Sequence, residues 1–290
     1  MDFINIVWII FLIATIAPMV KQRIMEAARL RLMRKIEEDR GSRVVALIHR
    51  QESLSFLGIP IARYMDIQDS EEVLRAIKLT EKDIPIDLIL HTPGGLVLAS
   101  EQIAAALSKR KGKVTVILPH YAMSGGTLIA LAADEVIMDE NAVLGPVDPQ
   151  VGRYPAVSIL NVLEQKPAKE IDDETFIMAD ISRKAVQQIK NTIVRIATEQ
   201  YTEKKAKELS EKLASGEWTH DYPISFEQAR ELGIKVNPDV PEEVYKLMNL
   251  YPQANPRRPS VEFIPSPYEE KPGSKDRGSS DFVKGSKINY

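Results

Sequence analysis

Short apolar runs alternate along this chain with longer stretches of helical period. The runs at 44–49, 86–91, 114–118 and 135–138 are nearly unbroken and rich in Val, Ile and Leu. Continuous runs of this length, bounded by polar and turn residues, predict strands buried on both faces, as in a parallel sheet. Helical patterns separate them. One begins at Asp69-Ser-Glu-Glu72, with Asp69 as N-cap and Glu72 at N3 in an acidic variant of the capping box, and is expected to reach residue 79. A second spans 96–109, with Ile103, Ala104 and Leu107 on one face, and a third spans 125–133. Asp172 is placed to cap a long helix over 173–199. A stretch at 201–216, with Lys204, Lys205, Lys207 and Lys212 among glutamates, reads as a helix with a solvated face. Strand and helix in alternation predict an α/β fold with parallel pairing.

The two ends depart from this pattern. Residues 3–20, FINIVWIIFLIATIAPMV, carry no charge and would span about 27 Å as a helix, enough for a bilayer core. A cleaved signal peptide needs a basic leader, and only Met1 and Asp2 precede the run. The expectation is therefore a transmembrane anchor over 1–20. Lys21, Arg23, Arg29, Arg31, Arg34 and Lys35 follow at once, which by the positive-inside rule faces the body of the protein to the cytoplasm. Ile24, Ala28, Leu32 and Ile36 recur every fourth residue among these charges. Residues 21–40 thus read as a basic amphipathic juxtamembrane helix, lying on anionic lipid or on a partner subunit, or else as a solvated connector. After Pro252 prolines accumulate, and from about Tyr268 the residues are mainly Glu, Lys, Gly, Ser and Asp. That composition buries too little apolar surface to order itself, so 266–290 is expected to be a disordered tail and 41–265 the folded domain.

Composition narrows the chemistry. A hydrophobic fraction of 44% and a charged fraction of 27% over 290 residues suit a globular domain with a sizeable core. A net charge of −3 gives no global attraction to nucleic acid. The chain has no cysteine, which excludes disulfides, thiolate catalysis and Cys-ligated zinc. Its histidines are His49, His91, His120 and His220, and no two are spaced to ligate a metal from one helix. No metal and no cofactor is expected.

Two glycine turns carry the candidate chemistry: His91-Thr-Pro-Gly-Gly95 and Ala122-Met-Ser-Gly-Gly-Thr127. Each follows a predicted strand and opens a helical pattern. They should therefore sit side by side at the carboxyl edge of the sheet, where ligands bind in open α/β folds. Glycine lets the backbone turn tightly and approach a ligand. Helix N-termini there offer free N–H groups to developing negative charge. Ser124 has two readings at this position: an N-cap, which serine favours, or a nucleophile on a tight strand-to-helix turn.

The pair of turns, with Ala132-Ala-Asp-Glu-Val-Ile-Met138 and Ala142-Val-Leu-Gly-Pro-Val-Asp-Pro-Gln150, resembles the ClpP and signal-peptide-peptidase-A superfamily of serine peptidases. Within it the chain looks like the membrane-associated serine dehydrogenase proteinase family. Gly216-Glu-Trp-Thr-His-Asp-Tyr-Pro-Ile224, Glu227-Gln-Ala-Arg-Glu-Leu-Gly-Ile234 and Leu250-Tyr-Pro-Gln253 carry that closer likeness. The resemblance implies a ClpP/crotonase-like parallel sheet with flanking helices. It implies Ser124 as nucleophile, the backbone N–H groups of Gly95 and Gly125 as oxyanion hole, a peptide or protein substrate with membrane proteins among the candidates, and a homo-oligomer.

The base is open at this level. The ClpP branch takes it from a histidine soon after the serine, but no histidine lies between His120 and His220. The signal-peptide-peptidase-A branch uses a lysine just before a long helix, where Lys166 and Lys169 stand here. A lysine base must be buried to be neutral near pH 7. Lys166, next to Pro167, suits this better than Lys169, whose neighbour Glu170 would keep it protonated. His220 is the alternative, with Asp221 near the position of the superfamily's acid. Two rival functions share the fold: an inactive scaffold that organises a membrane complex, and a crotonase-type acyl-thioester enzyme, whose chemistry needs no serine.

Overall fold

The computed structural model describes residues 3–49, 54–56, 59–61 and 64–251. In chain order the elements are α1 (Phe3–Arg40), β1 (Arg43–Ile48), β2 (Leu54–Phe56), β3 (Ile59–Ile61), α2 (Ile67–Leu79), β4 (Ile86–His91), α3 (Val97–Ser108), β5 (Val114–Leu118), β6 (Tyr121–Ala122), α4 (Gly125–Ala130) and β7 (Glu135–Met138). There follow β8 (Val143–Leu144), β9 (Gln150–Val151), β10 (Tyr154–Pro155), α5 (Ala156–Gln165), a 3-10 turn at Ala168–Glu170, α6 (Asp173–Ala197), α7 (Glu203–Ala214), α8 (Phe226–Glu231), β11 (Val236–Asn237) and α9 (Glu242–Asn249).

The central sheet has five strands in the order β1-β4-β5-β7-β11, all parallel. Its inner strands are buried on both faces, which is why they read as unbroken apolar runs. Side chains alternate between two layers, as the strand period of two requires. Leu88, Leu90, Val116, Leu118, Val136 and Met138 join Ile103, Leu107, Ile193, Ile196, Leu209 and Leu213 in the larger core beneath α3, α6 and α7. Ile89, Ile117 and Ile137 point the other way, onto Ile36 of α1 and Val244 and Leu247 of α9.

The end of α1 is fastened to the sheet by a polar knot. Buried Asp87 of β4 accepts hydrogen bonds from Arg40 Nε at 2.5 Å and from Ser42 Oγ at 2.6 Å. The Asp87 carboxylate raises the pKa of the Arg40 guanidinium, and burial works against it. On the same helix Lys35 pairs with Glu243 of α9 at 2.6 Å.

This arrangement corrects the expectation for the N-terminal end. Residues 3–40 form one helix of 38 residues, not an anchor over 1–20 followed by a separate juxtamembrane helix over 21–40. The uncharged run continues unbroken into a charged half whose last turns belong to the sheet's own packing. Among the described residues no helix is long and apolar enough to cross a membrane. The single-pass anchor and its cytoplasm-facing placement are withdrawn with it.

Other departures are smaller. The cap of α2 is Asp66, not Asp69; Asp69 is its N3 residue, and the two complete a reciprocal capping box. The helix starts early because Met65 is already tied to the first glycine turn. One face of α7 is core, with Ala206, Leu209 and Leu213 buried. Asp172 caps α6 as expected, accepting from the Thr175 N–H at 2.8 Å. The predicted tail over 266–290 and the end of the predicted domain beyond 251 lie outside the described residues.

Removing the Asp87 carboxylate strands Arg40 and the Ser42 hydroxyl. Asp87→Ala is expected to lower unfolding free energy by about 3 kcal/mol, read from urea denaturation. A loss below about 0.5 kcal/mol, the range of an ordinary surface change, would show that the knot does not fasten α1.

Candidate functional site

The two glycine turns meet at the carboxyl ends of β4 and β5. Thr92 and Ala122 form a parallel bridge: the Thr92 N–H donates to the Tyr121 carbonyl at 3.2 Å, and the Met123 N–H to the Thr92 carbonyl at 2.9 Å. That bridge brings Gly94 against Ser124. A Cβ added at Gly94 would lie 2.9 Å from Ser124 Cβ, and one at Gly95 would lie 2.2 Å from the Met65 carbonyl oxygen. A Cβ at Gly125 would lie 2.0 Å from Ser100 Oγ. Here the glycines are required by close approach.

Ser124 precedes α4 with φ 51° and ψ −113°, and it is the one non-glycine residue with positive φ among the described residues. Such a conformation costs a β-carbon residue of order 1–3 kcal/mol and is held in place by its surroundings. Its hydroxyl makes no capping hydrogen bond, so the N-cap reading does not account for it. The helix start is satisfied through main chain instead, the Thr127 N–H donating to the Ser124 carbonyl at 3.0 Å. Among the described residues the N–H groups of Gly95 and Gly125 make no hydrogen bond. Both residues line one cleft with Ser124, Asp148 and the apolar side chains Val97, Leu128, Val147 and Ile189.

Asp148 was not singled out from the sequence. It is 4% exposed, and its carboxylate accepts from His220 Nδ1 at 2.7 Å and from Gln150 Nε2 at 2.7 Å. Its signal was a lone carboxylate inside Gly145-Pro-Val-Asp-Pro149, an otherwise apolar turn. The Val147 N–H donates to the Leu213 carbonyl at 2.8 Å, and Leu144 bridges Ile224, so the segment is bound on both sides of the His220 loop. Trp218 and Tyr222 stack across that loop at 5.2 Å with rings nearly parallel. Gln228 Nε2 donates to the Tyr222 hydroxyl at 2.8 Å. His220 therefore pairs with Asp148 and not with the exposed Asp221, which acts on it only through its charge.

A carboxylate only accepts, so His220 Nδ1 carries a proton and Nε2 is the basic nitrogen of the neutral ring. The hydrogen bond to Asp148 raises the His220 pKa above its ordinary 6.5, and partial burial opposes it. Lys166 and Lys169 stand apart. Lys166 is the C-cap of α5 and Lys169 lies in the 3-10 turn; both are exposed, and neither lines the Ser124 cleft, nor does His220, which is joined to it through Asp148. Among the described residues no group of three or more acidic or histidine side chains converges as a metal site would.

A parallel sheet with paired glycine turns and a serine held at positive φ is the frame of a ClpP-like hydrolase. A profile of the ClpP-like SDH-type serine proteinases matches residues 1–278, and the chain belongs to that family. Two proteins of Methanocaldococcus jannaschii, both described as uncharacterized, are its relatives. One is 56% identical over 276 residues, covering 95% of this chain and 94% of its own. The other is 54% identical over 268 residues, covering 92% and 94%. Among solved structures, a mutant of the 1510-N membrane-bound stomatin-specific protease superposes with a TM-score of 0.42 at 20% identity, covering 64% of this chain and 79% of that one. ClpP1 from Listeria monocytogenes gives 0.43 at 18%, covering 72% and 96%.

The strained serine makes a test that needs no substrate. Glycine adopts the Ser124 conformation without a steric penalty, at a smaller cost in unfolded-chain entropy. Ser124→Gly is expected to raise stability by about 1 kcal/mol in urea denaturation. A loss of stability would mean that the turn is not strained by its side chain.

Proposed function

We propose that the chain hydrolyses peptide bonds through an acyl-enzyme on Ser124, with His220 as base, Asp148 as its orienting carboxylate, and the N–H groups of Gly95 and Gly125 as oxyanion hole. The observation that carries the reading is Ser124: a serine kept in a costly backbone conformation, with no capping bond, in one cleft with two glycines whose N–H groups are unengaged. An inactive scaffold has no use for that strain, and crotonase-type chemistry has no use for the hydroxyl.

In the proposed reaction Ser124 Oγ attacks the peptide carbonyl carbon as its proton passes to His220 Nε2. The carbonyl π electrons move to oxygen, and the oxyanion is stabilised by the two N–H donors; losing one such donor commonly slows turnover on the order of 10²- to 10³-fold. Collapse breaks the C–N bond, and the imidazolium protonates the leaving amine. Water, deprotonated by the same imidazole, then cleaves the ester and restores the serine.

The pairing of His220 with a carboxylate at the cleft supports the histidine over Lys166. Lys166 would need to lose its exposure, through closure of the segment after α5 or contact with a second copy. The exposed apolar side chains Phe176, Ile177 and Ile181 of α6 support the homo-oligomer. The apolar cleft walls support a peptide or protein substrate carrying an apolar side chain next to the cleaved bond.

A fluorophosphonate probe and a peptide pH–rate series test this. Wild type is expected to label at Ser124 and to lose labelling in Ser124→Ala. The base must be deprotonated to work, and Asp148 holds its proton more tightly, so activity should rise with pH through a limb above 6.5. His220→Gln should lower kcat/KM on the order of 10³-fold or more, and Lys166→Ala should leave it within a few-fold. Loss in Lys166→Ala alone would replace the triad with a serine–lysine dyad, and Lys169→Ala alone would move that dyad to its neighbour.

A further inference from the structure

A buried histidine that the proposed reaction does not use lies behind the first glycine turn. His49 follows β1 and is 2% exposed. Its Nδ1 is 3.0 Å from Thr92 Oγ1, and its Nε2 is 3.1 Å from Asp69 Oδ2. Its main-chain N–H donates to the His91 carbonyl at 2.7 Å, which fixes the ring's origin to β4.

Both partners of the ring lead to the same turn from opposite sides. Thr92 Oγ1 accepts the Gly94 N–H at 3.2 Å. Asp69 Oδ2 accepts the Asp66 N–H at 2.9 Å in the capping box of α2. Asp66 follows Met65, whose N–H donates to the Gly94 carbonyl at 2.8 Å and whose carbonyl accepts from Leu96 at 2.9 Å. The hydrogen bonds therefore close a ring: Gly94, Thr92, His49, Asp69, Asp66, Met65 and back to Gly94 and Leu96. Gly95 sits inside it, pressed on Met65 with its N–H unengaged.

Asp69 as carboxylate only accepts, so the imidazole donates to it from Nε2. Thr92 Oγ1 thus joins Nδ1, at 3.0 Å, to both main-chain groups of Gly94: it accepts the N–H at 3.2 Å and lies as a donor 3.4 Å from the carbonyl oxygen. A side chain at 49 with no polar atom at the Nδ1 position removes one of the contacts that hold the Thr92 hydroxyl, and through it loosens Gly94.

We infer that His49 is a positioning residue: by bridging the Thr92 hydroxyl and the Asp69 carboxylate it fixes the peptide plane that carries the Gly95 N–H at the Ser124 cleft. The inference rests on Gly95 as an oxyanion donor. An oxyanion donor acts on the transition state more than on bound substrate, so misaiming it lowers kcat and spares KM.

The experiment uses the full chain with Thr92→Val, which keeps shape and loses the hydroxyl, Thr92→Ser, which restores it, and His49→Phe. Amide hydrogen exchange is followed at 64–66 and 92–96, with 114–118 as internal control. Thr92→Val and His49→Phe are expected to exchange at least about 10-fold faster at Met65, Gly94 and Leu96 with the control unchanged, while Thr92→Ser matches wild type. In peptide hydrolysis the same two variants should lose about 10- to 100-fold in kcat with KM within about 2-fold. Unchanged exchange at the turn, or kcat and KM that move together, overturns the inference. If His49→Phe does not fold, the Thr92 pair decides alone. A wild-type chain that neither hydrolyses peptide nor takes up fluorophosphonate overturns the peptidase reading itself, before any variant is compared.

Discussion

The candidate site depends on the parallel bridge between Thr92 and the segment that leads into Ser124. Its hydrogen bonds, at 3.2 and 2.9 Å, extend the pairing of β4 with β5 beyond the regular strands and into both glycine turns. A sheet sets neighbouring backbones about 4.8 Å apart. At that spacing no Cβ fits between Gly94 and Ser124, and the serine turn has little freedom to relax. Strain at Ser124 can persist because the flanking main chain is held by hydrogen bonds, from Thr92 with Met123 through the α4 start to Gly145, whose N–H donates to Thr127 Oγ1 at 3.1 Å.

The sheet core makes this rigidity possible. The strands β4 and β5 are buried on both faces between α1 and α9 on one side and α3, α6 and α7 on the other. Interiors packed at crystal-like density deform little. The charged partners come from farther along the chain. Asp148 and His220 are 72 residues apart, and the strand-like contact of Leu144 with Ile224 joins the segments that carry them. A frame made early in the sequence is thus completed by a loop near its end.

Much of this was legible because it is local. The strands at Ile86–His91, Val114–Leu118 and Glu135–Met138 have the predicted bounds, since unbroken apolar runs have little else to become. The adjacency of the turns followed from parallel pairing alone. What the sequence hid is long-range. β11 is two residues long, too short for a period, and exists by pairing with β7. The buried face of α7 is masked by its many lysines. Asp148 belongs with His220 only through the fold, whereas Asp221 lies next to it in the chain and points to solvent. The apolar start of α1 looked like a separate element because composition reports no continuity; the helix runs on through its charged half to Arg40.

The central claim is geometric: a tetrahedral centre on Ser124 should be held by two backbone donors. A crystal structure of the chain carrying a phosphonate ester tests it most directly. The account predicts phosphorus bonded to Ser124 Oγ, with the phosphoryl oxygen about 3 Å from both the Gly95 and the Gly125 nitrogens. A phosphoryl oxygen turned to solvent, or an adduct on another residue, would contradict it.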